Sequence, residues 1–482
     1  MSDQHILKRR VGVADAVSII IGNVIGIGIF LTPAQVAQST DSPWLFLVVW
    51  FFGGLIALAG GMSSAELGVT MPHAGGDYVF LRKTWGLPWG FLYGYLSFFF
   101  SFTGSIAVFA TGVVQYQGQS LFGPSVSAEV LSIPGVGYTL YMHQLIAIGI
   151  IFFLTFLNYR GISQSLRMQK VITYTPAFFL TLVIAVIIGR AFFIEGGESQ
   201  MLATNFSYTS VTTEKSIWSM IAPAMIPVFF TYTGWNVTLY LAEDMKDPQK
   251  VIPKSMLIGI LVVFALYFLI CLSLLATIPF TDLIGPNPGD VVNRAMGSVL
   301  GSAAGNVLAM LIILLILGSI NTTILAGSRI YMAMARDKIF LQSAAHLHPR
   351  YGTPSRGLWA QALWASVLIL AFKDIDAILQ LTTLVILFLS FLTISSVFIL
   401  RFRFGSSHDI HSIKHTLMYK ALGYPYFPGF YLMAVAFIIF GTFVFGKDGW
   451  QKAAFGSGAV LTGFLVYAIW HRTRKKEKAN ES

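Results

Sequence analysis

The stretch Ile19–Pro33, IIIGNVIGIGIFLTP, constrains this chain more than any other. Gly22, Gly26 and Gly28 sit inside an apolar run, where each glycine costs a helix about 0.8–1.0 kcal/mol relative to alanine. The run reads as a membrane helix that comes apart in its middle. Backbone groups freed at membrane depth are costly unless protein, water or a ligand satisfies them. The N–H groups of a half-helix carry positive partial charge and suit a carboxylate, whereas freed carbonyls suit an ammonium or a metal ion. An α-amino acid carries both groups. The same glycines would equally serve close helix packing, and on this stretch alone both readings stand.

Composition sets the medium. Of 482 residues, 55% are hydrophobic and 11% charged, with a mean hydropathy of +0.72, against about 25% charged in soluble domains. The chain is therefore expected to be a polytopic membrane protein. The opening MSDQHILKRR is not followed by a short apolar core and a cleavage site, so no signal peptide is expected. The single cysteine, Cys271, lies in an apolar run and has no intramolecular disulfide partner.

Runs of about 20 apolar residues span a bilayer as helices. Twelve are found, at 13–36, 44–70, 89–114, 141–159, 171–194, 217–242, 255–279, 299–329, 357–373, 376–400, 424–446 and 450–471. With both termini cytoplasmic, 25 of the 31 Lys and Arg residues fall inside, as the positive-inside asymmetry requires. The other side holds Arg190, Lys215, Arg294, Lys373, Lys447 and Lys452. The net charge of +10 is thus topology rather than nucleic-acid binding. The tail RTRKKEK reads as a stop-transfer flank that also suits anionic head groups.

The sixth run is interrupted too, by TYTGWN from Thr231 to Asn236. Pro223 and Pro227 each remove a helix hydrogen bond from it. Interruptions at corresponding places in two halves mark inverted-repeat transporters. The expected division is a cytoplasmic tail 1–12, a first repeat 13–200, a second repeat 215–400, appended spans 424–471 and a basic tail 472–482. His408, His411 and His415 have metal-compatible spacing, but with Lys414 and Lys420 beside them they read as a solvated basic loop. No metal site is expected. Within the spans the acids are Asp15, Glu66 and Asp376, each near an end, so the convergent acids and bases of an intramembrane enzyme are missing.

Four stretches resemble the amino acid, polyamine and organocation (APC) transporter superfamily, and within it the L-type amino acid transporter branch. They are VIGIGIF in the first span, Ala65–Gly94, Phe229–Ser255 and Asn321–Asp337. The resemblance implies an all-α membrane protein of twelve helices, a five-plus-five inverted repeat with broken helices 1 and 6 (the LeuT-like fold). It places the substrate carboxylate on backbone N–H groups around Ile27 and Gly28, following Gly26. The ammonium falls on carbonyls near Val24, Phe230 and Thr233. Phe230 matches an aromatic gate, Asn236 a polar position near the site, and Thr231 and Gly234 complete the substrate set. Phe98, Phe99, Phe100, Ser101 and Thr103, then Ile320 and Asn321, then residues 384–391 are implied to line the side-chain pocket, with no acid or base among them.

The chain departs from the family pattern in two places. Ile27 stands where relatives carry Ser or Ala, implying an altered pocket. Pro176 stands where L-type members carry a lysine between helices 1 and 8, and Lys170 comes too early to replace it. Thr322 and Thr323 are then candidate sodium ligands, the alternative being that they bond back to their own helix. Animal L-type members join a glycoprotein through a cysteine in loop 3–4, and residues 115–140 contain none, so no disulfide-linked subunit is expected. The implied function is a secondary transporter of neutral amino acids in the plasma (inner) membrane. It would be an exchanger or be coupled to sodium or protons, without a cofactor. A cationic amino acid transporter of the same fold and a non-transporting sensor are the alternatives.

Overall fold

The computed structural model describes residues 11–73, 75–133, 138–193, 197–208, 216–284, 291–372, 375–405, 420–446 and 449–480. The histidine loop, Lys414, the basic residues Lys8–Arg10, and Lys215, Lys373 and Lys447 lie outside them. The fold is all-α and polytopic, and each of the twelve expected runs is found as helix. Among the described residues nine helices are long and apolar enough to cross a membrane, and Val13–Val24 with Gly28–Thr40 makes a tenth crossing, bent by 46°. The other two expected spans are shorter, Ile217–Tyr232 at 16 residues and Ser355–Ala371 at 17.

The sixth span is short because it breaks. Ile217–Tyr232 ends at Thr233, and the chain resumes helix only at Val237–Tyr240. Both breaks sit in the interior. Val13–Val24 packs on Pro248–Thr277 and Ser302–Arg336, and Gly28–Thr40 packs on Ile217–Tyr232. Small residues permit these approaches, since a Cβ on Gly259 would lie 2.7 Å from the Ile20 side chain.

Several elements lie outside the expected spans. A helix Asp77–Thr84 fills what reads as the loop between the second and third spans, and short helices occupy Gly197–Phe206 and Val291–Leu300. An antiparallel hairpin pairs Glu129–Ile133 with Tyr138–Tyr141. The third span carries π-helical turns at Ser97–Ser101 and Val113–Gly118, each of which adds a residue to the turn and rotates the faces beyond it. Pro176 is buried inside the continuous helix Ile162–Phe193.

Candidate functional site

At the first break the Gly26 N–H donates to the Val24 carbonyl at 2.7 Å. The N–H groups of Ile27, Gly28 and Ile29 then have no acceptor among the described residues. They are the orphan donors every helix start leaves, here buried rather than bathed in water. Gly28 is pressed against the sixth span, because a Cβ there would fall 2.7 Å from Thr231 Oγ1. The Thr231 hydroxyl lies 2.9 Å from that of Thr32 and donates to the Pro227 carbonyl at 2.7 Å. The threonine hydroxyl thus bonds back to its own helix at i−4.

At the second break Thr233 is extended and Gly234 has φ +106°, a conformation that residues with a Cβ avoid. The three carbonyls implied for an ammonium differ in occupancy. That of Val24 accepts from Gly26 N–H and from the Tyr267 hydroxyl at 2.6 Å. That of Phe230 accepts from the N–H and hydroxyl of Thr233, at 3.1 and 2.6 Å. The Thr233 carbonyl accepts nothing among the described residues.

Two side chains that sequence reasoning missed hold the breaks together. Asn23 Nδ2 donates to the Gly234 carbonyl at 2.9 Å, and its Oδ1 accepts from the Thr323 hydroxyl at 3.1 Å. The Ser319 hydroxyl lies 2.7 Å from the Gly22 carbonyl and 3.0 Å from that of Ile25. The signal for Asn23 was an amide directly after Gly22 in an apolar run; Ser319 gave none. Thr322 and Thr323 donate to the carbonyls of Gly318 and Ser319, at 2.9 and 2.8 Å. Replacing Asn23 by leucine removes two hydrogen bonds, to the Gly234 carbonyl and from the Thr323 hydroxyl, and leaves each group one partner, the Val237 N–H and the Ser319 carbonyl. A loss of about 1–3 kcal/mol is expected, read as a lower melting temperature of the detergent-solubilised protein together with slower uptake; an unchanged melt would refute the bridging role.

Two small cavities, of about 40 and 70 Å³, adjoin the second break and share Thr233, Gly234, Asn236, Asp77, Ile386 and Ser390 as lining. The residues expected to line the pocket include no acid or base, but Asp77, from outside that set, lines both cavities. It comes from the stretch read as a loop, turned inward by Gly75 and Gly76 at φ +100° and +45°. Its Oδ2 accepts from Tyr240 at 2.7 Å, Asn236 at 2.9 Å and Tyr93 at 3.1 Å.

The remaining expected pocket residues divide. Ser101, Ile386, Leu389 and Ser390 line the larger cavity. Phe98 instead packs on Tyr331 and Phe340, and Phe99 on Tyr95 and Trp364, because the π turn at Ser97–Ser101 rotates them away. Asn321 accepts from Asn158 Nδ2 at 2.7 Å. The Phe230 ring lies 5.8 Å from that of Phe109, which lines the larger cavity and reaches Gly26. Ile27 points at the third span, where a Cβ on Gly112 would lie 2.9 Å from it, so its bulk is housed there rather than in either cavity. Lys170 is ion-paired with Asp15 at the start of the first span. Cys271 is fully buried in Pro248–Thr277.

Two interior helices broken face to face, in an all-helical polytopic chain, define a membrane transporter architecture rather than an enzyme. The amino acid permease family profile matches residues 11–464, and the chain belongs to that family. It is 26% identical over 476 residues to the serine/threonine exchanger SteT of Bacillus subtilis (strain 168), covering 98% of each chain. It is 26% identical to the human large neutral amino acids transporter small subunit 2, covering 96% of this chain and 80% of that one. To the mouse Asc-type amino acid transporter 1 it is 25% identical, covering 99% and 84%. The chain is an integral, multi-pass membrane protein that transports amino acids.

Proposed function

We propose that the protein is a secondary transporter moving neutral amino acids by alternating access across the plasma membrane, with both termini cytoplasmic. The observation that carries this reading is the row of unpartnered N–H groups at Ile27, Gly28 and Ile29, on a helix start that packs against Thr231 of the sixth span. They suit a carboxylate, and the unoccupied Thr233 carbonyl suits the ammonium. The names of the serine/threonine and large neutral relatives favour uncharged side chains. The engagement of Thr322, Thr323 and Ser319 with carbonyls favours a cycle without sodium between the first and eighth spans. A hydroxyl proton shared by the Gly22 and Ile25 carbonyls gives those oxygens a donor where a cation would otherwise serve. Asp77 favours a second reading, in which the cavity takes a cationic side chain.

The test is counterflow of labelled amino acids into proteoliposomes loaded with unlabelled amino acid. Serine, alanine or leucine is expected to outcompete lysine and arginine, and α-esters or N-acyl analogues are expected to lose nearly all competition, because an unpaired buried polar group is costly. Preference for lysine or arginine would establish the second reading. An α-ester carried as well as its parent would remove the backbone site.

A further inference from the structure

Asp77 is buried, and all three of its hydrogen bonds converge on one oxygen. The other, Oδ1, has no partner among the described residues and is shielded from bulk solvent. The side chain stands between the two cavities that flank the unwound segment. Each exceeds the roughly 10–15 Å³ one water needs, and Asp77 is part of the lining of both, so water can stand on either side of the residue while Oδ1 itself stays covered. The titratable groups facing it are the tyrosines: Tyr93 from the third span, Tyr240 after the second break, and Tyr431, which lines the smaller cavity. The nearest cation on its own helix, Arg82, is paired with Asp337 on Ser302–Arg336.

We propose that Asp77 is a proton-binding site coupled to amino acid movement, its carboxylate taking a proton from cavity water when the second break moves and uncovers it, and returning the proton to water on the other side. The inference rests on the transporter reading above and adds its coupling ion. Proton binding would be felt at the second break through Asn236, which bonds both Asp77 Oδ2 and the Tyr240 hydroxyl, the latter at 2.7 Å. Hydrogen bonds to an ionised carboxylate are roughly twice as strong as those to a neutral group. Protonation therefore loosens the hold of the Asp77–Thr84 helix on the Gly234–Asn236 segment. Burial pushes the Asp77 carboxyl above the usual carboxylate range, and the bonds from Tyr240, Asn236 and Tyr93 draw it part of the way back.

The experiment uses full-length protein in proteoliposomes with internal pyranine, whose fluorescence reports proton entry, and labelled serine outside. With one proton per amino acid, a one-unit inward pH gradient supports about tenfold accumulation. Wild type is expected to approach that ratio and to acidify the lumen only when serine is present. Asp77→Asn, a neutral isostere of the protonated acid, is expected to show a steady-state ratio of about one whatever its rate. Tyr240→Phe removes one donor to the carboxylate and is expected to move the pH of half-maximal accumulation upward. Serine counterflow in wild type without gradient-driven accumulation or proton entry would overturn the proposal while leaving the transporter reading intact; absence of any counterflow would sink that reading instead. Wild-type-like accumulation by Asp77→Asn, or an unmoved pH midpoint in Tyr240→Phe, would also overturn it.

Discussion

Gly28→Ala is expected to reduce amino acid uptake by about tenfold to a hundredfold while the protein still inserts and purifies as a monodisperse species. The added Cβ would fall 2.7 Å from Thr231 Oγ1 and 3.0 Å from Thr231 Cα, and a backbone atom cannot swing aside as a side chain can. Overpacking of this kind costs about 1–3 kcal/mol, and each 1.4 kcal/mol is about tenfold. The strain falls on the contact that sets the two broken helices against each other, and it displaces the N–H groups of Ile27–Ile29. Gly149→Ala is the control, because a Cβ there meets nothing within 4 Å. Uptake by Gly28→Ala equal to that of the control would show that this contact does not shape the site.

The largest loss of stability is expected from Glu66→Ala. Glu66 is buried and takes Arg401 Nε on Oε1 and Nη2 on Oε2, both at 2.7 Å, with the Ala421 N–H on Oε2 at 2.7 Å. The Arg401 guanidinium also lies 3.7 Å from the centre of the Tyr424 ring. Removing one partner of a fully buried pair costs about 3–5 kcal/mol, and because the Arg401 side chain left behind is 20% exposed the loss is expected at the lower end of that range. Replacing both partners with apolar residues often costs little, so Glu66→Leu/Arg401→Met is expected to melt nearer wild type than either single variant. Lys250→Ala, which breaks an ion pair whose side chains are 76% and 44% exposed, should change stability by less than about 1 kcal/mol. Thermal melts in detergent decide it. A Glu66→Ala melt no lower than that of Lys250→Ala would contradict the assignment.

The positions of the spans and of both breaks were legible in the sequence, because each is a conflict between neighbours along the chain. Glycine inside an apolar run, proline inside a helix, and TYTGWN in a hydrophobic segment each weaken helix where they stand, whatever surrounds them. The backbone reading of the site follows from the same local signals, as does the burial of long apolar runs. What meets across those breaks was decided by tertiary structure. Asn23 finds Gly234 at a separation of 211 residues and Thr323 at 300, and Asp77 finds Asn236 at 159. No window along the chain contains such a pair. Asp77 read as a loop acid because glycines precede it between two spans, and it is the packing of the Asp77–Thr84 helix on Leu87–Leu96 and Ile375–Gly405, with the hydrogen bonds from Asn236 and Tyr240, that makes it an interior one. Phe98 and Phe99 read as pocket lining by position, but the π turn at Ser97–Ser101 changes which face a residue occupies, and such a turn is stabilised by packing rather than by local propensity. Glu66 near the end of its span read as an interfacial acid; Arg401, 335 residues away, makes it an interior one. The sequence by itself therefore determined where helices form and where they break, which are short-range balances of backbone hydrogen bonding, whereas the partners of each buried polar side chain came only with the packing of distant segments.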